Sequence, residues 1–151
     1  MRSARHDSTT FSEPPEVVFR AALGVVQNAK NTTLLAAHNS GCRLIFREKS
    51  KMSNAKFVDV RVESVAGRTE LRIVVGTDPR TPKALMDGRA NEKSLRTYLE
   101  RVRGALDGSS PAPASPVVDH FVQKRAEIPW PHPDQDPEIE LDGNIRAIYG
   151  L

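Results

Sequence analysis

Few residues in this sequence have types and spacing that suit chemistry. In LMDGRANEKS, Lys93 and Ser94 follow Gly88 at five and six residues. A lysine and a hydroxyl behind a glycine suit a phosphate loop, but such a loop needs several glycines whose amides converge. One glycine does not supply that, so the stretch reads as a turn between helical segments. His132-Pro-Asp134-Gln-Asp136 gathers nitrogen and oxygen ligands, with His120 twelve residues earlier. Calcium takes about six to eight oxygens from a turning loop. Prolines at 131, 133 and 137 hold this segment extended, so it reads as an acidic, proline-rich tail.

Cys42 is the single cysteine, which excludes an internal disulfide and a multi-cysteine zinc site. It alternates with Leu44 and Phe46, the pattern of a small buried hydrophobe. His38 adjoins the Asn39-Ser40-Gly41 turn and reads as an exposed flanking residue. The sequence has no G-x-S-x-G, Walker A or G-x-G-x-x-G motif. The expectation is a protein without catalytic residues, cofactor or metal, hence not an enzyme.

The basic residues suggest a nucleic-acid surface. Arg43, Arg47 and Lys49 share a strand face, with Arg61 and Arg72 as candidate neighbours. That face also carries Asp59, Glu63 and Glu70, and the rings it offers for stacking are few, chiefly Phe57. Lys93, Arg96, Arg101 and Arg103 form a mild basic ridge on a later helix. A solvated mixed-charge surface is the plainer reading.

These residues sit on elements that periodicity makes visible. Ser12 can cap a helix opened by Pro14, Pro15 and Glu16. Val18, Ala21, Ala22, Val25, Val26 and Ala29 then recur at helical spacing. Four strands follow in TTLLAAH, CRLIFREK, FVDVRVES and TELRIVVG. Their strict alternation predicts an antiparallel meander with one buried and one wet face. Residues 8–11 can add an edge strand. A second helix, from about Asn91 to Leu106, carries the stripe Leu95, Tyr98, Leu99, Val102, Ala105 and Leu106. The expected fold is an α+β two-layer sandwich, with the four-stranded meander covered on one face by two helices.

PPEVVFRAALGVV, running into the meander and closing helix, resembles small bacterial helix–four-strand–helix domains of unassigned function. FREKSKMSNAKFVDVRV, with its serine-containing link, is similar to them too. More distantly, the first helix resembles that of START-like helix-grip domains. That likeness implies binding of apolar ligands.

GSSPAPASP, residues 108–116, marks a boundary, since nothing in it offsets the entropy of folding. The expected division is a domain at 1–107, a linker at 108–116 and an acidic, Pro-rich docking tail at 117–151. Residues 1–107 carry 19 Lys/Arg against 12 Asp/Glu, and residues 108–151 carry 3 against 7. A basic body and an acidic tail attract. EIPWPHPDQDPEIELDG, residues 127–143, holds the only tryptophan, Trp130, between two prolines. Ile128, Trp130, Ile139, Leu141, Ile145, Ile148 and Tyr149 are apolar anchors that a solvated spacer does not need. They are the expected partner-binding residues, docking on the chain's own body, a neighbouring subunit or a partner protein.

The leading expectation is therefore a non-enzymatic interaction or assembly protein. Second is a small carrier holding an apolar ligand between sheet and helices, a reading that an enlarged cavity there would put first. Nucleic-acid binding is third. The longest apolar run, Val17 to Val26, is broken by Arg20 and too short to span a bilayer. With no apolar leader at the start, the default expectation is a cytoplasmic protein.

Overall fold

Pro14 and Pro15 set the backbone angle that a first helical turn needs, so helix α1 (Pro15–Asn28) starts on them. Ser12 does not cap it, because its hydroxyl donates instead to the Glu13 carboxylate at 3.0 Å. The computed structural model describes residues 4–49, 54–77, 87–137 and 139. Before α1 lies strand β1 (Arg5–Phe11). After it come β2 (Thr32–His38), β3 (Arg43–Glu48), β4 (Lys56–Val65) and β5 (Arg68–Thr77). Helix α2 (Asp87–Asp107) follows, then two short strands, β6 (His120–Gln123) and β7 (Ala126–Pro129). The sheet is antiparallel throughout, in the order β1-β5-β4-β3-β2-β6-β7.

The class is α+β, as the periodicity predicts, but among the described residues the sheet has seven strands and not four or five. Residues 8–11 belong to a β1 that begins at Arg5. The other two strands come from beyond residue 107. They were hidden because β6 and β7 are four residues each, too short for alternation to register.

The inner face follows the expected pattern. Leu44, Phe46, Val58, Val60, Val62, Leu71, Ile73 and Val75 point into one core with Val18, Ala22 and Val26 of α1 and Leu95, Leu99 and Val102 of α2. The Tyr98 hydroxyl donates to the Ala22 carbonyl at 2.8 Å, fastening the two helices together. Burial pushes that phenol well above its ordinary value. Cys42 is buried in this core, and burial likewise raises its thiol.

The Pro/Ser/Ala stretch runs along α1. Gln27 exchanges two hydrogen bonds with the Ser115 backbone, at 2.9 and 2.8 Å, and Asn28 donates to the Pro113 carbonyl at 3.0 Å. Gly24 lets the strap come this close, since a Cβ there would overlap the Ala112 carbonyl. Ala112, Ala114 and Val117 pack against the main core.

The outer face is not uniformly wet. Ala36, Ile45, Phe57, Trp130 and Ile139 form a second buried cluster, with Leu35 and Phe121 at its margin. Arg43 and Asp59, expected in solvent, are both 2 % exposed and paired at 2.8 Å. The segment after β7 covers them.

Candidate functional site: a cavity between sheet and helices

At one end of the inner face the apolar pattern stops. Strand register lines up Thr32, Glu48, Lys56 and Thr77 as a single polar row across β2, β3, β4 and β5. Each continues the inward-pointing set of its strand: Lys56 precedes Val58 and Val60, and Glu48 follows Leu44 and Phe46. Above the row, α2 presents Ser94, which is buried. Lys56 is 4 % exposed, and its ammonium donates to Ser94 Oγ at 2.7 Å. Ser94 in turn donates to Glu48 Oε1 at 3.2 Å. The Thr32 hydroxyl donates to the Val26 carbonyl at 2.7 Å, near the end of α1, where that carbonyl also accepts from the Ala29 amide at 3.3 Å.

Between this row and the helices lies a cavity of about 610 Å³. That is the size of a site for a small organic ligand. Val25, Val26 and Ala29 of α1, Phe46 of β3 and Tyr98 of α2 give it apolar walls. Lys56, Ser94 and Glu48 form its polar end, and Arg89, Lys93 and Arg101 stand along its α2 side. A second hollow of about 510 Å³ shares Val25, Ala29, Asn31 and Arg101 with it and is walled by Ser110, Pro111 and Ala112 of the strap.

Lys93 and Ser94, in the stretch that the sequence presents as a turn between helical segments, line this cavity instead. Gly88 is not a turn between helices. It lies in the first turn of α2, which starts four residues earlier than the stripe suggested. Sequence reasoning missed Lys56 and Glu48. Their signal was a single charged residue where an inward-pointing apolar series should continue.

The tail residues go elsewhere. Trp130 is buried on the outer face, and its indole N–H donates to the His132 and Gln135 carbonyls at 2.9 and 3.1 Å. Its ring meets His38 edge-on at 5.7 Å, with the Arg43 guanidinium 5.3 Å away. Ile139 is buried in the same cluster, whereas Ile128 lies half-buried in β7 opposite Phe121. Leu141, Ile145, Ile148 and Tyr149 lie outside the described residues. Asp136 pairs with Arg43 at 2.9 Å and reaches Arg61 at 3.6 Å, while His132 and Asp134 face solvent. Among the described residues, no three His, Cys, Asp or Glu side chains are placed to hold a metal.

His38 is buried, contrary to expectation. Its Nδ1 accepts from the Gly41 amide at 3.0 Å, and its Nε2 lies 3.5 Å from Asp119. Asp119 latches the start of β6 to the β2–β3 turn by accepting from the Asn39 backbone and side chain, both at 2.8 Å. Partial burial pushes its carboxyl up. The Asn39 hydrogen bonds and the charges of His38 and His120 outweigh this and hold it below its ordinary value.

An antiparallel sheet packed against a long helix, with a hollow between them, is the arrangement of the helix-grip class of fold. No protein-family model and no curated protein matches this sequence. Solved structures of this fold do match. The chain is similar to protein MLL2253 from Mesorhizobium loti, at 13% identity and a TM-score of 0.54 over 70% of this chain and 98% of that one. It is similar to Ara h 8.0201, at 10% identity and a TM-score of 0.52 over 70% and 97%. It also resembles DynU16, a protein in the dynemicin biosynthetic locus, at 13% identity and a TM-score of 0.53 over 75% of this chain and 50% of that one. At these identities the likeness is one of fold.

Proposed function

We propose that this protein binds a small, largely apolar molecule in the cavity between its sheet and its helices. The observation that carries the reading is the cavity of about 610 Å³ itself, with Val25, Val26, Phe46 and Tyr98 in its wall. A core built only for stability closes such a space, because interiors pack like organic crystals. The sequence put an interaction protein first and a carrier second. The cavity and the helix-grip likeness favour the opposite order. They also give no support to the expectation that the chain is not an enzyme. Lys56, Ser94 and Glu48 are groups that can move protons, and DynU16 belongs to a biosynthetic locus. Binding is the part of the reading that the geometry supports, and no reaction is assigned.

Titration with the neutral dye Nile red tests it. The full chain should take up about one dye with a rise in emission. Thr97→Phe, which fills the cavity from α2, should weaken uptake at least tenfold while the melting temperature stays within a few degrees. A dye that does not bind, or that binds the filled variant equally well, overturns the reading.

A further inference from the structure

Ser94 stands between a base and a cation. Its hydroxyl donates to Glu48 Oε1 at 3.2 Å and accepts from the Lys56 ammonium at 2.7 Å. A hydroxyl has one hydrogen and two lone pairs, so these contacts engage the hydrogen and one pair. The three residues come from α2, β3 and β4, and strand register sets Glu48 directly opposite Lys56. All three line the cavity, so the hydroxyl is reached from the space read above as a ligand site. A contact made only to fasten α2 to the sheet has no need of a cavity wall. Serine is a weak nucleophile until an adjacent base can take its proton. Here the carboxylate lies within the reach that general-base catalysis requires. Lys56, fixed and buried, favours loss of that proton, because charges interact more strongly away from water.

We infer that Ser94 is a nucleophile and that the cavity hydrolyses esters of apolar carboxylic acids. This rests on the cavity being a ligand site. Ser94 Oγ bonds to the ester carbonyl carbon as its proton passes to Glu48. The carbonyl electron pair moves onto its oxygen, and the Lys56 ammonium beside Oγ offsets the charge that develops. Return of that pair breaks the bond to the alcohol, which takes the proton from Glu48 and leaves Ser94 acylated. A water then bonds to the acyl carbon and gives a proton to Glu48. The bond to Oγ breaks, Oγ recovers the proton, and a carboxylic acid departs. One ester and one water become one acid and one alcohol, with no change of oxidation state. The acyl chain lies against Val25, Val26, Phe46 and Tyr98. The alcohol is then at the mouth, where Arg89, Lys93 and Arg101 are exposed.

A hexyl fluorophosphonate and p-nitrophenyl hexanoate, used on the full chain, test this. The fluorophosphonate should add once, and peptide mapping should place it on Ser94. The chain should release p-nitrophenol faster than buffer does, and Nile red should inhibit that release competitively. Ser94→Ala should take the rate to background. Glu48→Gln keeps the shape and removes the base, so it should lower the rate about a hundredfold. Should either variant not fold, mapping of the adduct on the parent chain decides the matter. An adduct on another residue or on none, hydrolysis that the dye does not inhibit, or a rate that survives either substitution in a folded chain overturns the inference. Nile red bound by a chain that forms no Ser94 adduct leaves the cavity reading standing. If Nile red does not bind either, both fall.

Discussion

The two faces of one sheet are closed in opposite ways. On the inner face, α1 and α2 cover the strands but stand off at one end, leaving a hollow with a polar floor. On the outer face, the segment after β7 lies against the sheet and turns at His132–Gln135. Trp130 fills against Ile45 and Phe57, and the Arg43–Asp59 pair beneath is sealed by Asp136 and the Pro133 carbonyl. Long helices bridge a gap because their hydrogen bonds are internal. An extended segment must touch the surface it covers. Among the described residues, the hollow lies on the helical face and the Trp130 cluster on the strapped one.

The sharpest way to break the contrast is to remove the strap. Ending the chain at Asp107 exposes Ile45, Phe57 and the Arg43–Asp59 pair, and leaves β2 as an edge. Its loss of stability in urea should exceed that of any single substitution. Unchanged melting would mean that residues 1–107 are self-sufficient, as the proline-rich stretch at 108–116 suggests. Next, Trp130→Ala should cost about 3–5 kcal/mol, the usual range for a large ring removed from a closed site. Nile red uptake by the folded fraction should persist, because the cavity is on the opposite face. Simultaneous loss of the dye would show that the two faces are not independent.

A smaller effect lies in the β6–β7 turn. Lys124 and Arg125 both have positive φ, 50° and 67°, in a two-residue hairpin that favours Asn-Gly. Arg125→Gly should stabilise the protein by roughly 0.5–1 kcal/mol, read as an upward shift of the urea midpoint. The smallest effect concerns acid. The Asp119 carboxyl is held below its ordinary value, so its contribution is complete above the unfolded Asp range, about pH 4, and is lost as pH falls through the lower folded value. Trp130 emission followed into acid should therefore shift toward that of free tryptophan less steeply in Asp119→Asn than in the parent. Identical slopes would remove Asp119 from the latch.

The inner face was legible in the sequence because periodicity describes it directly. The alternation of Leu44 and Phe46, and of Val58, Val60 and Val62, fixes which side is buried. The outer face was less so, although Ile45 and Phe57 are apolar residues at positions where a wet face would carry polar ones. Their cover is distant in sequence, and nothing local announces it. Trp130 was conspicuous, but its target was not, since prolines define how a segment runs and not where it lands. The cavity was least visible. A hollow is an absence of side chains, and only its polar floor leaves a mark, in Glu48 and Lys56 at the ends of apolar series.

The latch between Asn39 and Asp119 joins residues 80 positions apart. During synthesis the chain emerges from its N-terminal end, so β2, β3 and β4 can pair long before β6 exists. For that interval Ile45, Phe57 and the open edge of β2 are presented to the crowded surroundings of the ribosome. Contacts this distant in sequence also close slowly. The nascent protein therefore passes through a stage with its inner layer assembled and its outer side sticky, when chaperone capture competes with the arrival of its final segment.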